Sequence, residues 1–337
     1  MGALGTVLPD PNDRIAPMKA PPQHAHSTVE RTPAPLRVLS LLASGTEIVC
    51  ALGAGDWLVG RSHECDNPAW VRNLPACSEP AFDVSGSSGE IDREVTRRIR
   101  AREPLYLLDD AKIASLKPDL VIAQEHCEVC AVTPGDVARA NCTLGSMQVM
   151  ALTAGTLEGI FTGITRVAAA LGLDDRGRDL VAAERARLEA VRQRSARHTS
   201  KSLVMLEWTD PIFAMGNWGP ELVEAANGNL LLGKTGEHSR AIAWEQVREA
   251  DPEVLVVAPC GFSLERALSE RCNLERLPGW SQMRAVRSGQ VAYADGNLYF
   301  NRSGTTVART AEILAEILHG EVTGELTEGS AWRWVRA

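Results

Sequence analysis

Two short motifs carry the side chains of this 337-residue chain that could do chemistry. One is the CxxC pair of Cys127 and Cys130, and the other is His63 with Cys65. Thiolate and imidazole groups suit zinc, copper(I) and other thiophilic ions. The four side chains therefore form a candidate metal set, with zinc as a candidate ion.

Two other interpretations of these cysteines stay open. They could be small loop residues that pack the walls of a cleft, or the CxxC pair could be redox-active, since a thiol of lowered pKa becomes reactive. Glu125 and Glu128 flank the pair, and their charge raises thiol pKa values, which disfavours redox chemistry. The chain has eight cysteines, but an even count in a chain of this size is weak evidence for disulfides.

The cysteine motifs follow apolar runs that are typical of buried strands. Residues 120–123 lead towards Cys127, and residues 253–258 lead to Cys260. The segments "LKPDLVIAQEHC" and "EADPEVLVVAPC" share one order: a helix end, Pro-Asp or Asp-Pro, an apolar strand, then cysteine. Ligands of open α/β sheets bind beyond the carboxyl ends of the strands. Both loops are therefore expected to line one cleft.

The alternation of strand and helix patterns predicts an α/β fold with mostly parallel sheets. The two halves are similar, so we expect two similar α/β lobes joined by a helix. The predicted segments are a disordered tail (1–35), an N-terminal α/β lobe (36–155), a connecting helical region (156–200), a C-terminal α/β lobe (201–320) and a second tail (321–337).

Further candidate ligand contacts lie near predicted strand ends. Only 5% of residues are aromatic, yet several lie near strand ends of the second half, where aromatic faces would grip a flat ligand. Trp208 and Phe262 could equally be core residues, and Arg302 could equally form an ordinary salt bridge. The full predicted ligand-binding set is His63, Glu64, Cys65, Glu125, Cys127, Cys130, Trp208, Asp210, Trp218, Cys260, Phe262, Asn297, Tyr299 and Arg302.

Composition and missing motifs exclude several functions. The net charge of -8 comes without a basic cluster, which argues against nucleic acid as a partner. The sequence has neither GxGxxG nor a P-loop, and no GxSxG elbow, so dinucleotide, P-loop and serine-hydrolase chemistry lack support. We predict a binding protein with no catalytic residues and no obligatory cofactor.

The amino-terminal segment predicts a location. It lacks a basic region followed by an apolar core of about 7–15 residues, which a secretory signal requires. The sequence as written therefore predicts a cytoplasmic protein.

Several stretches resemble a known family. Residues 37–48, "RVLSLLASGTEI", are similar to an opening of the type R-hydrophobic-V-S-L-x-P-S-A-T-E, and "LKPDLVI", "DPEV" and "VAYADGNLYFNRSG" follow in the family's order. The chain resembles the helical-backbone (class III) substrate-binding proteins of ABC importers, in the branch for cobalamin and iron chelates. The resemblance covers roughly residues 36–320.

The resemblance implies two Rossmann-like lobes joined by a long backbone helix, with a small-molecule ligand, a corrinoid or chelated metal, clamped in the cleft between them. It also implies a monomer, an ABC permease as partner and a periplasmic or cell-surface location. Family members dock to the permease through an acidic residue on each lobe, and near the first of these positions this chain has Asp109, Asp110 and Lys112.

The favoured hypothesis is a substrate-binding protein that captures a cobalamin-like corrinoid or chelated-metal ligand for ABC-type uptake. The alternative is a cytosolic metal-binding or redox protein that reuses the fold, with a His/Cys site in its cleft.

Overall fold

The computed structural model describes residues 35–125, 132–133, 135–137, 147–322 and 327–335. These residues form strands and helices in alternation. The strands are β1 (Val38–Ser40), β2 (Leu58–Arg61), β3 (Ser78–Pro80), β4 (Tyr106–Leu108), β5 (Leu120–Gln124), β6 (Gln148–Leu152), β7 (Lys201–Thr209), β8 (Ile212–Ala214), β9 (Gly228–Leu230), β10 (Arg240–Ala241), β11 (Val254–Val257), β12 (Val291–Ala294) and β13 (Trp332–Val335).

The helices are α1 (Ala43–Ala51), α2 (Ser88–Ala101), α3 (Asp110–Leu116), α4 (Leu157–Ala170), α5 (Asp174–Ser195), α6 (Gly219–Ala225), α7 (Trp244–Ala250), α8 (Leu264–Ser269), α9 (Arg271–Glu275), α10 (Arg284–Arg287) and α11 (Val307–His319). A π-helical turn covers Gly296–Phe300. Within the ranges that the structure describes, no helix combines the length and apolar character that a membrane span requires.

The first lobe is built on a parallel sheet with the strand order β2-β1-β5-β6. Its central strands β1 and β5 are buried along their whole length. Strands covered on both faces have continuous apolar runs rather than alternating ones, as residues 120–123 do. Because all four strands run the same way, their carboxyl ends meet at one edge of the sheet.

The second lobe has a larger sheet with the order β10-β8-β7-β11-β12-β13, and β9 pairs with the first part of β7. β9, β7, β11 and β12 are parallel, whereas β8 and β13 pair antiparallel to their neighbours. The buried strand β11 lies between two parallel neighbours, as β5 does in the first lobe. The predicted fold class, two Rossmann-like lobes with mostly parallel sheets, is confirmed.

Helix α5 is the one that crosses between the lobes. At its start, Arg176 Nη1 donates to Leu52 O of the first lobe at 3.0 Å. At its end, Asn227 Nδ2 of the second lobe donates to Ser195 O at 3.0 Å. Its 22 residues span about 33 Å, which is enough to run along both lobes.

Tight packing fixes α5 against its neighbours. A Cβ at Gly177 would lie 2.4 Å from the Cβ of Ala168, so glycine is required where α5 approaches α4. Further along, Arg187 donates from Nε and Nη2 to Glu312 of α11 at 3.2 and 3.1 Å, and from Nη1 to Glu184 Oε1 at 3.0 Å. These contacts make α5 a stiff connector, as the sequence resemblance implied.

Candidate functional site

A small cavity lies between the two lobes, at the carboxyl ends of their parallel strands. Its volume is about 60 Å³. The first lobe contributes Leu42, Ala43, Ser44, Glu64 and Gln124. The second lobe contributes Cys260, Gly261, Gly296, Asn297, Asn301, Arg302 and Ser303. The cavity therefore lies where ligands of open α/β sheets bind.

Local structure explains why these residues line the cavity. On the first lobe, β1 turns directly into α1, so the first turn of α1 faces the cavity, and β5 ends at Gln124. On the second lobe, the π-helical turn packs its first residue tightly: a Cβ at Gly296 would lie 2.0 Å from Pro259 O. Asn301 Nδ2 donates to Ala258 O at 3.0 Å and to Gly296 O at 3.1 Å. π-helical turns are frequent at functional sites.

Arg302 is the main polar link between the lobes. Its side chain is 5% exposed. Nη1 donates to Glu47 Oε1 at 2.7 Å, and Nη2 donates to Asp66 Oδ1 at 2.5 Å. Glu47 belongs to α1, and Asp66 lies in the loop after β2, so one guanidinium of the second lobe holds two carboxylates of the first.

Neighbouring amides support this ion cluster. Asn297 Nδ2 donates to Asp66 Oδ2 at 2.9 Å, and Asn67 Nδ2 donates to Glu47 Oε1 at 2.8 Å. Arg302 Nε donates to Asn297 O at 2.7 Å, which fixes the guanidinium in place. These hydrogen bonds leave the side chains of the cluster few other conformations, so the cluster sets the local distance between the lobes.

Two carboxyl groups near the cavity, those of Glu47 and Glu64, have raised pKa values. Burial raises the pKa of Glu47, although the charge of Arg302 opposes this shift. Burial in the cavity wall raises the pKa of Glu64 to about 7, again against the lowering effect of Arg302.

A second polar contact joins the lobes at the start of α2. Ser88 Oγ and N donate to Glu270 Oε2 at 2.5 and 3.2 Å. Asn273 Nδ2 donates to the same oxygen at 2.6 Å, and Ser88 Oγ lies 2.8 Å from Thr209 Oγ1. Trp208 Nε1 donates to Ser88 O at 3.3 Å. We refer to Ser88, Thr209, Glu270 and Asn273 as the Ser88 cluster.

His63, which was predicted to bind ligand or metal, lies beside Glu64 but is hydrogen-bonded to Ser78. Its Nδ1 is 2.8 Å from Ser78 Oγ, and its ring packs on Tyr106 at a centroid distance of 5.4 Å. Burial and the nearby charge of Arg61 lower the pKa of His63 to about 4. Its Nε2 is 3.9 Å from Glu64 Oε1. The imidazole is therefore neutral at physiological pH.

Cys65 does not line the cleft, which differs from the sequence prediction. It is 1% exposed and part of the first lobe's core, where Thr46 Oγ1 donates to its Sγ at 3.0 Å. Burial raises the pKa of its thiol to about 12, so the thiolate that a metal would bind is strongly disfavoured. The side chain after β2 that reaches the cavity is its neighbour Glu64.

The proposed metal set is only partly covered by the structure. Cys127 and Cys130 lie outside the described residues. Among the residues that are described, no group of three or more His, Cys, Asp or Glu side chains is arranged to hold a metal ion. Of the cysteines in the described part of the chain, Cys260 is the one that lines the cavity, and it is half-buried.

The aromatic candidates lie mostly in the core. Phe262 is 4% exposed and Trp218 is 6% exposed, because both pack inside the second lobe rather than into the cavity. Trp208 is partly buried and packs on Phe262 at 5.1 Å between ring centroids, beside the Ser88 cluster. Tyr299 is half-buried within the π-helical turn. Phe262 and Trp218 do not line the cavity in this arrangement, and their assignment to the ligand site stays a prediction.

Two predicted acidic residues lie away from the cavity wall. Asp210 lies against the first turn of α2, where a Cβ at Gly89 would meet its Oδ2 at 2.3 Å. A carboxylate at a helix amino terminus is electrostatically favourable. Glu125 follows β5 on the surface and accepts a hydrogen bond from Thr153 Oγ1 at 3.2 Å.

Sequence reasoning missed Glu47, Asp66, Ser88 and Glu270. The partners of these contacts lie 182 to 255 residues apart in the chain, so no local spacing marks them. Glu47 stands in the "ASGTE" stretch and Asp66 follows the His63–Cys65 motif. Their closeness in sequence to those motifs was the signal that could have pointed to Glu47 and Asp66.

We predict that Arg302→Met destabilises the protein by about 3 kcal/mol, because two carboxylates lose their buried cation. The matched control is Arg284→Met, whose exposed side chain pairs with Glu253 at 2.9 Å and should cost under about 1 kcal/mol. Denaturant unfolding of both variants gives the comparison. Equal losses of stability would show that the Arg302 link is worth no more than a surface pair.

We predict that His63 makes stability depend on pH between 6.5 and 4. In this window the unfolded chain protonates the imidazole, whereas the folded protein, with the pKa of His63 near 4, does not. Stability therefore falls as pH falls, by on the order of 2 kcal/mol from this group. The measurement is the free energy of unfolding of wild type minus that of His63→Gln across the window. A difference that stays flat would contradict the prediction.

Comparison with known proteins identifies the family. Residues 38–298 match the family described as periplasmic binding protein. An uncharacterized ABC transporter substrate-binding lipoprotein, YvrC of Bacillus subtilis (strain 168), is 22% identical over 298 residues, covering 86% of this chain and 82% of that protein. The vitamin B12-binding protein of Vibrio campbellii (strain ATCC BAA-1116) is 27% identical over 221 residues, covering 65% and 69%.

A solved structure shows the same fold. The periplasmic heme binding protein from Pseudomonas aeruginosa matches with a TM-score of 0.67 at 19% identity, covering 90% of this chain and 100% of that chain. The family match covers well over half of the chain and includes the first sheet, the connector and the second sheet up to β12. The chain therefore belongs to the periplasmic binding protein family, which consists of substrate-binding transport proteins and not of enzymes.

Proposed function

We propose that this protein captures a cobalamin-like corrinoid, or another chelated metal, between its two lobes. The observation that carries the proposal is the cavity at the carboxyl ends of both parallel sheets, lined by polar groups from each lobe. A relative named for vitamin B12 supports a corrinoid. Of the residues predicted from sequence, we assign Glu64, Cys260, Asn297 and Arg302 to ligand binding, because they line the cavity.

The size of the cavity implies that the lobes separate to admit such a ligand. Sites for drug-sized molecules are typically about 300–1,000 Å³, whereas this cavity holds about 60 Å³. The contacts that must break are polar: the Arg302 link and the Ser88 cluster. Polar groups exchange protein partners for water at modest net cost, so such an interface can open without exposing a large apolar surface.

The family also suggests a partner and a location. We propose that the protein acts as a monomer that delivers its ligand to an ABC permease, with lobes at 36–155 and 201–320 and the connecting region at 156–200. Members of the family are periplasmic or surface lipoproteins, so the cytoplasmic expectation lacks support and we propose an extracytoplasmic location. Near the expected docking position, Asp109 caps α3 and pairs with Lys112 at 2.8 Å.

Calorimetric titration with cyanocobalamin, hemin and an iron–hydroxamate chelate tests the proposed ligand class. We expect saturable binding of the corrinoid and a rise in unfolding temperature, since a ligand at 100 times its Kd stabilises by about 2.7 kcal/mol. Titration of each compound into buffer without protein reports the heats of dilution and self-association. Absence of saturable binding for all three compounds would overturn the proposal.

Cys260 offers a test of where the ligand binds. We predict that cyanocobalamin slows alkylation of Cys260 by at least about threefold, because the thiol lines the cavity. Cys272 is exposed and outside the cavity, so its rate should not change. The rates are read by mass spectrometry of the two peptides after timed exposure to iodoacetamide. Equal alkylation rates at Cys260 with and without corrinoid would show that the corrinoid binds outside this cavity.

A further inference from the structure

One segment of the first lobe is bound to the second lobe at several points. Residues 84–91, which we call the clasp, comprise the loop before α2 and the start of that helix. Ser88 in this segment is fully buried. Its N and Oγ donate to Glu270 Oε2, and its carbonyl accepts a hydrogen bond from Trp208 Nε1 at 3.3 Å. Both the N–H and the carbonyl of Ser88 are thus bound by side chains of the second lobe.

The second lobe also holds the clasp on either side of Ser88. Arg266 Nη2 donates to Val84 O and to Gly86 O, at 2.8 Å each. Ile91 packs against the apolar core of the second lobe, under β7 and β11. These contacts are spread along the segment from its first residue to its last. The clasp as a whole therefore lies on the second lobe, rather than touching it at one residue.

The later part of α2 is attached to the first lobe. Arg98 Nη2 donates to Ala81 O at 2.8 Å, and its Nη1 donates to Pro104 O at 3.0 Å. These carbonyls lie next to β3 and β4, which pair with each other. Just before β3, Cys77 N donates to Arg61 O of β2 at 2.8 Å. Helix α2 therefore connects the two lobes, and its ends cannot follow both lobes when they separate.

The clasp lies at the same edge of the second sheet as the cavity. Thr209, whose hydroxyl oxygen is 2.8 Å from that of Ser88, is the last residue of β7. The neighbouring parallel strand β11 leads to the cavity residue Cys260. Cys260 N donates to Glu207 O of β7 at 3.0 Å. The clasp therefore crosses the cleft beside the cavity.

The geometry of the clasp leaves no room for movement of the lobes. The hydrogen bonds between Ser88 and the second lobe are 2.5 to 3.3 Å long, so a separation of about 1 Å is enough to break them. The cavity holds about 60 Å³, whereas sites for drug-sized molecules are about 300–1,000 Å³. A ligand of that size requires wider lobes, and its binding therefore costs the protein the clasp contacts.

We propose that the clasp is an autoinhibitory contact, which holds the lobes in this narrow arrangement and competes with the ligand. The inference rests on the proposed function, since the ligand is the one proposed above. Only molecules whose clasp is released bind ligand, so the apparent Kd equals the intrinsic Kd divided by their fraction. The contacts of Ser88 and Arg266 therefore weaken binding. This sign is opposite to that of a residue that touches the ligand, whose removal weakens binding.

Two variants loosen the clasp at different points. Ser88→Ala removes the hydroxyl that donates to Glu270, and Arg266→Met removes the guanidinium that holds the carbonyls of Val84 and Gly86. For each variant we expect the Kd for cyanocobalamin, measured by calorimetric titration, to fall by at least about fivefold. One lost hydrogen bond corresponds to about this factor.

Each variant has a matched control outside the clasp. Ser115→Ala removes an exposed hydroxyl of α3 that donates to Lys112 O. Arg284→Met removes an exposed guanidinium that pairs with Glu253, at the amino end of β11 and away from the cleft. Both controls should keep the wild-type Kd. Far-UV circular dichroism confirms that all four variants are folded.

Alkylation of Cys260 measures release of the clasp without any ligand. Iodoacetamide gains access to the cavity thiol when the lobes part. The alkylation rate at Cys260 should therefore rise at least about threefold in Ser88→Ala and in Arg266→Met, and it should stay at the wild-type value in the two controls. Mass spectrometry of the Cys260 peptide after timed exposure gives the rates.

The outcomes separate the two proposals. If cyanocobalamin does not bind to the wild-type protein, the proposed function is wrong and the competition falls with it, while the Cys260 rates still decide whether the clasp restrains the lobes. Wild-type rates at Cys260 in both clasp variants would overturn the clasp. If the rates rise but neither variant binds cyanocobalamin more tightly than wild type, the autoinhibition alone is overturned.

Discussion

The way in which the two lobes meet depends on one buried guanidinium. Arg302 is 5% exposed and bridges Glu47, which is 2% exposed, and Asp66 of the opposite lobe. Removing such charges from water is costly, and their mutual attraction with good hydrogen bonds roughly compensates for this cost. The link therefore adds little net stability, whereas its geometry allows few alternatives. We infer that its value is in fixing how the lobes meet, because Arg302 also lines the cavity between them.

Because the connector is closely packed, movement between the lobes occurs at the interlobe contacts. Helix α5 is locked to α4 by the contact between Gly177 and Ala168, and to α11 by Arg187 with Glu184 and Glu312. A packed helix does not offer the backbone rotation of a loop hinge. Relative movement of the lobes is then small, and it is concentrated in the contacts opposite the connector. Those contacts, the Arg302 link and the Ser88 cluster, are hydrogen-bonded and separable, whereas the contacts of α5 are partly apolar and close-packed.

The local sequence was sufficient to predict the fold but not to predict which side chains line the site. The apolar runs of β5 and β11, and their shared context, predict two parallel sheets with facing strand ends, because strand burial on both faces leaves a continuous pattern. Which side chain after a strand enters the cleft depends on a few backbone dihedrals that composition does not reveal. Cys65 turns into the core and Glu64 into the cavity, although they are adjacent in sequence. Phe262 is buried under the guanidinium of Arg266, 4.1 Å from the ring centroid, a partner with no signal in the sequence.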